Sequence, residues 1–197
     1  MGDGPEIVTI SRRRFLRQTG VGGIGLLTFS IAGCQKKMTP AEAWQSQVSY
    51  QVLSGSDVLA IETLGDALAP GSAAAGIAHY IDHQLNAPIE ECMLMIRYLG
   101  VPTPFTPFYK GGLSAASAAA TQVFSKPIED LDETECRSLV SQIATGNVVG
   151  WQGPPSEFFY FVLRADAVDV RYGTKQGFAD LEIPYAAHIE PPSSWGQ

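Results

Sequence analysis

The sequence predicts an all-α fold: a single helical domain of about six helices, preceded by a signal peptide and followed by an irregular aromatic and proline-rich C-terminal tail. Three observations lead there. Apolar residues recur at helical spacing through most of residues 56–172. Gly and Pro stand where such runs should stop. No segment sustains the alternation of a strand.

The first element is a leader. Ser11-Arg12-Arg13-Arg14-Phe15-Leu16-Arg17 carries paired arginines followed by Phe15 and Leu16, and an uncharged, glycine-rich apolar stretch runs from Thr19 to Ala32. That stretch is short for a spanning helix, which needs ~20 apolar residues. A basic region followed by a short apolar one is the layout of a signal peptide. Arg12-Arg13 in this setting points to the twin-arginine (Tat) translocase, which reads the pair as an address and carries folded proteins. Ile31-Ala32-Gly33-Cys34 resembles a lipobox, with cleavage before Cys34 and acylation of its thiol and new amine. The expected organisation is 1–33 as the Tat and lipoprotein signal, 34–51 as a lipidated tether and 52–197 as the helical domain. The expected location is periplasmic, lipid-anchored to the inner or outer membrane. An uncleaved signal anchor, or cleavage at another small-residue site, is the alternative.

Within the domain, Val58, Ile61, Leu64 and Leu68 predict a first helix from Ser56 to Ala69, with Ser56 or Asp57 as N-cap and Pro70-Gly71 as stop. A second is expected from about Ala73 to Leu85. A third is expected from Glu90 to Leu99, with Cys92, Met93, Ile96 and Leu99 inward and Gly100 closing it. Three prolines in residues 101–107 exclude helix there. The fourth runs from about Pro107 to Phe124 and has a small face, Ala115 to Ala120, suited to close helix approach. Asp132 and Glu135 form a capping-box pattern that opens a fifth helix, ending at Gly146. Ser156 to Tyr172 is the most apolar helix, stopped by Gly173. Arg171 to Gln197 lacks a helical pattern but is rich in aromatics and prolines. Such a stretch packs on its own domain or on another protein.

Charge and cysteines exclude several functions. The full chain carries −7. The leader holds Arg12, Arg13, Arg14 and Arg17 against Asp3 and Glu6, so the remaining chain carries −9. An acidic surface argues against nucleic acid, and against a peripheral electrostatic hold on anionic lipid. With Cys34 assigned to acylation, Cys92 and Cys136 are too few for an iron–sulfur cluster, which takes four ligands. They could pair with each other, pair with a partner or stay as buried thiols. No Cys-x-x-Cys-His attaches a haem.

Candidate chemistry is sparse. His79 and His83 stand at i and i+4, the spacing of metal ligands on a helix, but the Glu that follows the first His of a zincin motif is replaced by Tyr80. The plainer expectation is two solvent-facing or interface histidines opposite the Ile77 and Ile81 core face. No dinucleotide-binding glycine motif or nucleophile elbow occurs. Glu90-Glu91 and the acidic residues from Glu129 to Glu135 sit at helix starts, where negative charge suits the dipole. No catalytic or cofactor-binding residue is assigned.

Three stretches together resemble a known family. They are Glu62-Thr63-Leu64-Gly65-Asp66-Ala67-Leu68-Ala69-Pro70; Trp151-Gln152-Gly153-Pro154-Pro155 with Phe158-Phe159 and Leu163 to Val170; and Tyr172 to Phe178 with Ile183-Pro184-Tyr185 and His188 to Trp195. The chain thereby resembles the gluconate 2-dehydrogenase subunit 3 family over roughly Leu53 to Trp195. The resemblance implies a small subunit of a membrane-associated dehydrogenase. Its large partner would be of the glucose–methanol–choline (GMC) class and hold FAD, and a cytochrome c subunit often takes the electrons. It implies no catalytic residue and no cofactor in this chain. The implied role is escort, with one Tat signal exporting both subunits. The expected contacts with the large subunit are Phe178, Pro184, Tyr185, His188 and Trp195. The rival expectation is a free-standing helical periplasmic lipoprotein that binds a ligand or metal.

Overall fold

The structure is a computed structural model, and it describes residues 26–31 and 34–183. Its elements are β1 (Leu27–Ile31), β2 (Cys34–Met38), α1 (Pro40–Gln45), α2 (Gly55–Leu68), α3 (Ile77–Asn86), a 3-10 turn (Met95–Leu99), α4 (Thr106–Phe124), a 3-10 turn (Ile128–Asp130), α5 (Glu133–Ala144), α6 (Ser156–Tyr172) and α7 (Lys175–Asp180). The described part is therefore mostly helical, as the periodicity requires.

Helix α2 lies at the centre and packs against α3, α4, α5 and α6. Its Ile61 and Leu64 are fully buried beside Ile77, Ile81, Leu113, Leu139 and Phe159. Burying each such side chain contributes about 1.5–3 kcal/mol. The small face of α4 serves this packing. Ala116, Ala119 and Ala120 are buried, and Gly112 lies so close to the Phe159 ring that a Cβ there would stand 2.2 Å from it.

Helix ends follow local chemistry. Ser54 caps α2 and exchanges hydrogen bonds with Asp57, so the cap sits two residues before the earliest expected one. Asp132 and Glu135 close the capping box of α5 as expected. Helix α3 begins at Ile77, later than the expected Ala73. Gly71 and Gly76 take φ of 88° and 86°, and the Asp66 carboxylate accepts from the Ala73 N–H at 2.7 Å, which holds residues 70–76 in turns.

Three expectations are corrected. The helix expected over Glu90 to Leu99 is a turn, an extended segment and one short 3-10 turn; Leu94 is buried while Leu99 is exposed. Side chains compete for its backbone: Gln84 Oε1 accepts from Met93 N–H at 2.7 Å, Tyr80 O–H donates to Met93 O at 3.2 Å, and Asp166 Oδ1 accepts from Met95 N–H at 3.0 Å. Strands do occur: β1 and β2 form an antiparallel hairpin with Leu27 opposite Met38 and Ile31 opposite Cys34. The stretch expected as a tether is folded in large part. Thr39 caps α1, α1 packs on α3, and Met38, Ala43 and Val48 are buried. The tail also begins in order. Thr174 caps the short α7, and Arg171 holds it by an ion pair to Asp180 at 2.7 Å while its Nε donates to Pro70 O at 3.0 Å. Among the described residues, no helix is long and apolar enough to cross a membrane.

Candidate functional site

The densest polar constellation sits on α3. An amphipathic helix normally turns polar residues outward. Here His79, Asp82 and Gln84 are buried along with Ile77, Tyr80 and Ile81. Their partners are backbone groups of the segments around them. Asp82 accepts three N–H groups, from Gln51, Val52 and Leu53, each at 2.8 Å. His79 Nε2 lies 2.9 Å from Val48 O, and its Nδ1 lies 3.2 Å from the Tyr50 hydroxyl. A carbonyl only accepts, so Nε2 carries the proton and Nδ1 accepts from Tyr50. That is the neutral imidazole, in keeping with burial, which lowers the His79 pKa. The plainer expectation for the two histidines is thus corrected: His79 faces the core, and it pins residues 48–50 onto α3.

His83, one turn later, is half-buried. Phe29 of β1 covers both rings, with centroids 5.4 Å from His83 and 6.2 Å from His79. His83 Nδ1 is buried with no hydrogen-bond partner, and burial lowers its pKa. Asp82 turns away to the 51–53 loop. Among the described residues, no group of three or more His, Cys, Asp or Glu gathers to hold a metal.

A second buried polar centre was not legible in the sequence. Asp166 of α6 is fully buried and accepts from the Tyr109 hydroxyl at 2.5 Å and from Met95 N–H at 3.0 Å. Burial pushes its pKa up to about 7, against the lowering effect of those two donors. Burial likewise raises the Tyr109 hydroxyl well above its usual value. Asp166 lies within Leu163 to Val170, a stretch that carries the family resemblance, but nothing in its spacing distinguishes it from a surface carboxylate. Its geometry ties α4, α6 and the segment after residue 92 together.

Two open clefts flank Glu62 of α2. One, of about 430 Å³, lies between α2 and α5 and is lined by Asp66, Pro70, Leu131, Glu133 and Cys136 among others. The other, of about 540 Å³, is lined by Trp44, Tyr50, Val58 and His79 among others. Trp44 Nε1 donates to Glu62 at 3.1 Å, and burial raises the Glu62 pKa more than that bond lowers it. In the second cleft the Tyr50 hydroxyl and His79 Nδ1 are paired with each other, and His79 Nε2 is held by Val48 O.

Of the expected interface residues, Phe178 is half-buried on α7; Pro184, Tyr185, His188 and Trp195 lie outside the described residues. So do Arg12, Arg13, Phe15 and Leu16 of the Tat motif. Cys34 is exposed at the start of β2. Cys92 and Cys136 are separate buried thiols, not a disulfide. Near α7, Leu181 and Ile183 leave about half of their surface exposed, as does Phe161 on α6.

No curated protein and no solved structure matches the chain. The model of gluconate 2-dehydrogenase subunit 3 matches residues 57–188, a span from the first turn of α2 into the C-terminal tail. With two thirds of its length so matched, the chain belongs to the gluconate 2-dehydrogenase subunit 3 family, whose members are subunits of an oxidoreductase complex.

Proposed function

We propose that this chain is a non-catalytic accessory subunit that escorts and matures an FAD-dependent GMC-type dehydrogenase large subunit, and anchors it to the membrane after export. The family match carries the reading. The twin-arginine leader supports it. A chain with no assigned cofactor has no need of a folded-protein route for itself, but a partner loaded with FAD does. Tat export before anchoring through Cys34 gives one signal two passengers. The electron acceptor would be a cytochrome c subunit or another membrane carrier.

The large subunit would dock on the C-terminal tail and the adjoining end of the bundle. Leu181 and Ile183 present exposed apolar surface at the ordered start of that tail. Exposed apolar and aromatic side chains are favoured in interface cores. The decisive experiment co-expresses the large subunit with the chain truncated after Tyr172. Export of active dehydrogenase should fall at least tenfold, and Arg12→Lys/Arg13→Lys should abolish it. Normal export with the truncated chain would refute the docking site. Normal export with no small subunit at all would refute the escort role.

A further inference from the structure

The hairpin sets a folded strand inside the segment read as a leader. In β1, Leu27 and Phe29 are buried, at 7% and 5% exposure, and Phe29 lies against the rings of His79 and His83. Strand β2 is different. Cys34, Gln35, Lys36 and Lys37 are all exposed, and only Met38 turns into the core. Residues 34–37 are therefore held down by their pairing with β1, from Lys37 opposite Thr28 to Cys34 opposite Ile31. An isolated strand without a partner or a buried face is not stable in water. Just beyond, the chain is fixed independently: Thr39 caps α1, and the Pro40 carbonyl passes so close to Gly76 that a Cβ on Gly76 would stand 2.1 Å from it.

The geometry points to a maturation clasp: residues 27–31 occupy a groove over His79 and His83 in the precursor, and cleavage before Cys34 vacates that groove and releases residues 34–37 as a free tether. This rests on the reading that the chain is cut before Cys34. The bond broken is the peptide link between Gly33 and Cys34, hydrolysed by water under a signal peptidase. The clasp then has no covalent hold on the domain, and five paired residues lose their partner strand. In the precursor the acylation site would lie folded against the bundle; in the processed form it would stand off from it. The groove beside His83 opens in the same event.

Lys36 and Lys37 make this measurable, because trypsin cuts a chain only where it leaves regular structure. The precursor, retained in the cytoplasm as the Arg12→Lys/Arg13→Lys variant, is compared with the exported, processed chain. Cleavage after Lys36 or Lys37, followed by mass spectrometry, should be at least tenfold faster in the processed form. Phe29→Ser in the retained precursor should raise its rate toward the processed value, with the helical circular dichroism signal unchanged. Should that variant lose its helical signal, hydrogen exchange at residues 35–37 in the two unaltered forms decides instead, with slow exchange expected in the precursor alone. Equal cleavage and equal exchange in both forms would overturn the clasp. An exported chain whose mass retains residues 1–33 would refute the cleavage reading, and the Phe29→Ser comparison would still decide whether β1 holds β2.

Discussion

Replacing Asp166 by Asn removes one titrating group from the core while leaving the side-chain volume almost unchanged. The folded carboxyl titrates at about 7, against 3.8 for an unperturbed Asp. The folded state therefore keeps a proton that the unfolded chain releases. A group shifted upward in this way contributes stability that is fully present below the unfolded pKa and is lost as pH rises through the folded one. At ~1.36 kcal/mol per unit, the loss between pH 4 and pH 8 is on the order of 3–4 kcal/mol. Other groups titrate over the same range. His79 and His83 are shifted down and lose stability as pH falls, whereas Glu62 and Asp169 are shifted up like Asp166. All of these are common to both proteins, so the difference between wild type and Asp166→Asn isolates Asp166. Urea unfolding followed by circular dichroism from pH 4.5 to pH 8 should show the wild type losing a few kcal/mol relative to the variant. Asn can still accept from Met95 N–H, so the variant should fold. Parallel stability profiles would show that Asp166 is ionised throughout, and the argument from burial would fail.

Other perturbations probe the remaining joints. Asp82→Ala strips three N–H groups of their acceptor, the deepest being that of Leu53; it should cost about 2–4 kcal/mol, with faster hydrogen exchange at residues 51–53. Gly112→Ala drives a methyl into the Phe159 ring and should cost about 1–3 kcal/mol in urea unfolding. In a Cys34→Ala chain, Cys92 and Cys136 are buried and their thiol pKa values raised, so a thiol-reactive dye should label them only upon denaturation, at two equivalents per chain.

The helical architecture was legible because its signals are local. The Asp132 and Glu135 capping box and the apolar spacing of α6 each need only a few residues to be read. Residues 90–99 misled because their helical spacing is real, but Gln84, Tyr80 and Asp166 claim the backbone at Met93 and Met95 from elsewhere in the chain. Strand β1 shows a different failure. Leu27-Thr28-Phe29-Ser30-Ile31 does alternate, but it sits in a stretch whose apolar character a leader explains equally well. The polar face of α3 was visible as a pair of histidines at metal-ligand spacing. Their use in pinning residues 48–50 and bordering β1 depends on segments that spacing along one helix cannot reveal. The tie between Asp166 and Tyr109, 57 positions apart, left no trace in the order of residues.

The contact between Gly76 and Pro40 sets a short leash. Because Met38 is buried, Thr39 caps α1 and the chain is pinned at Pro40, only the run from Cys34 to Met38 would pay out from an acyl anchor on Cys34. Four peptide steps at full extension reach about 14 Å. A headgroup layer ~5–7 Å deep takes up part of that length. The bundle would therefore ride close against the bilayer, with the α1 end nearest the lipid and Lys36 and Lys37 level with the headgroups. Too little clearance remains for another protein to slip beneath it. A large subunit would have to stand beside or above the bundle, which limits the directions from which a membrane-bound electron acceptor can approach.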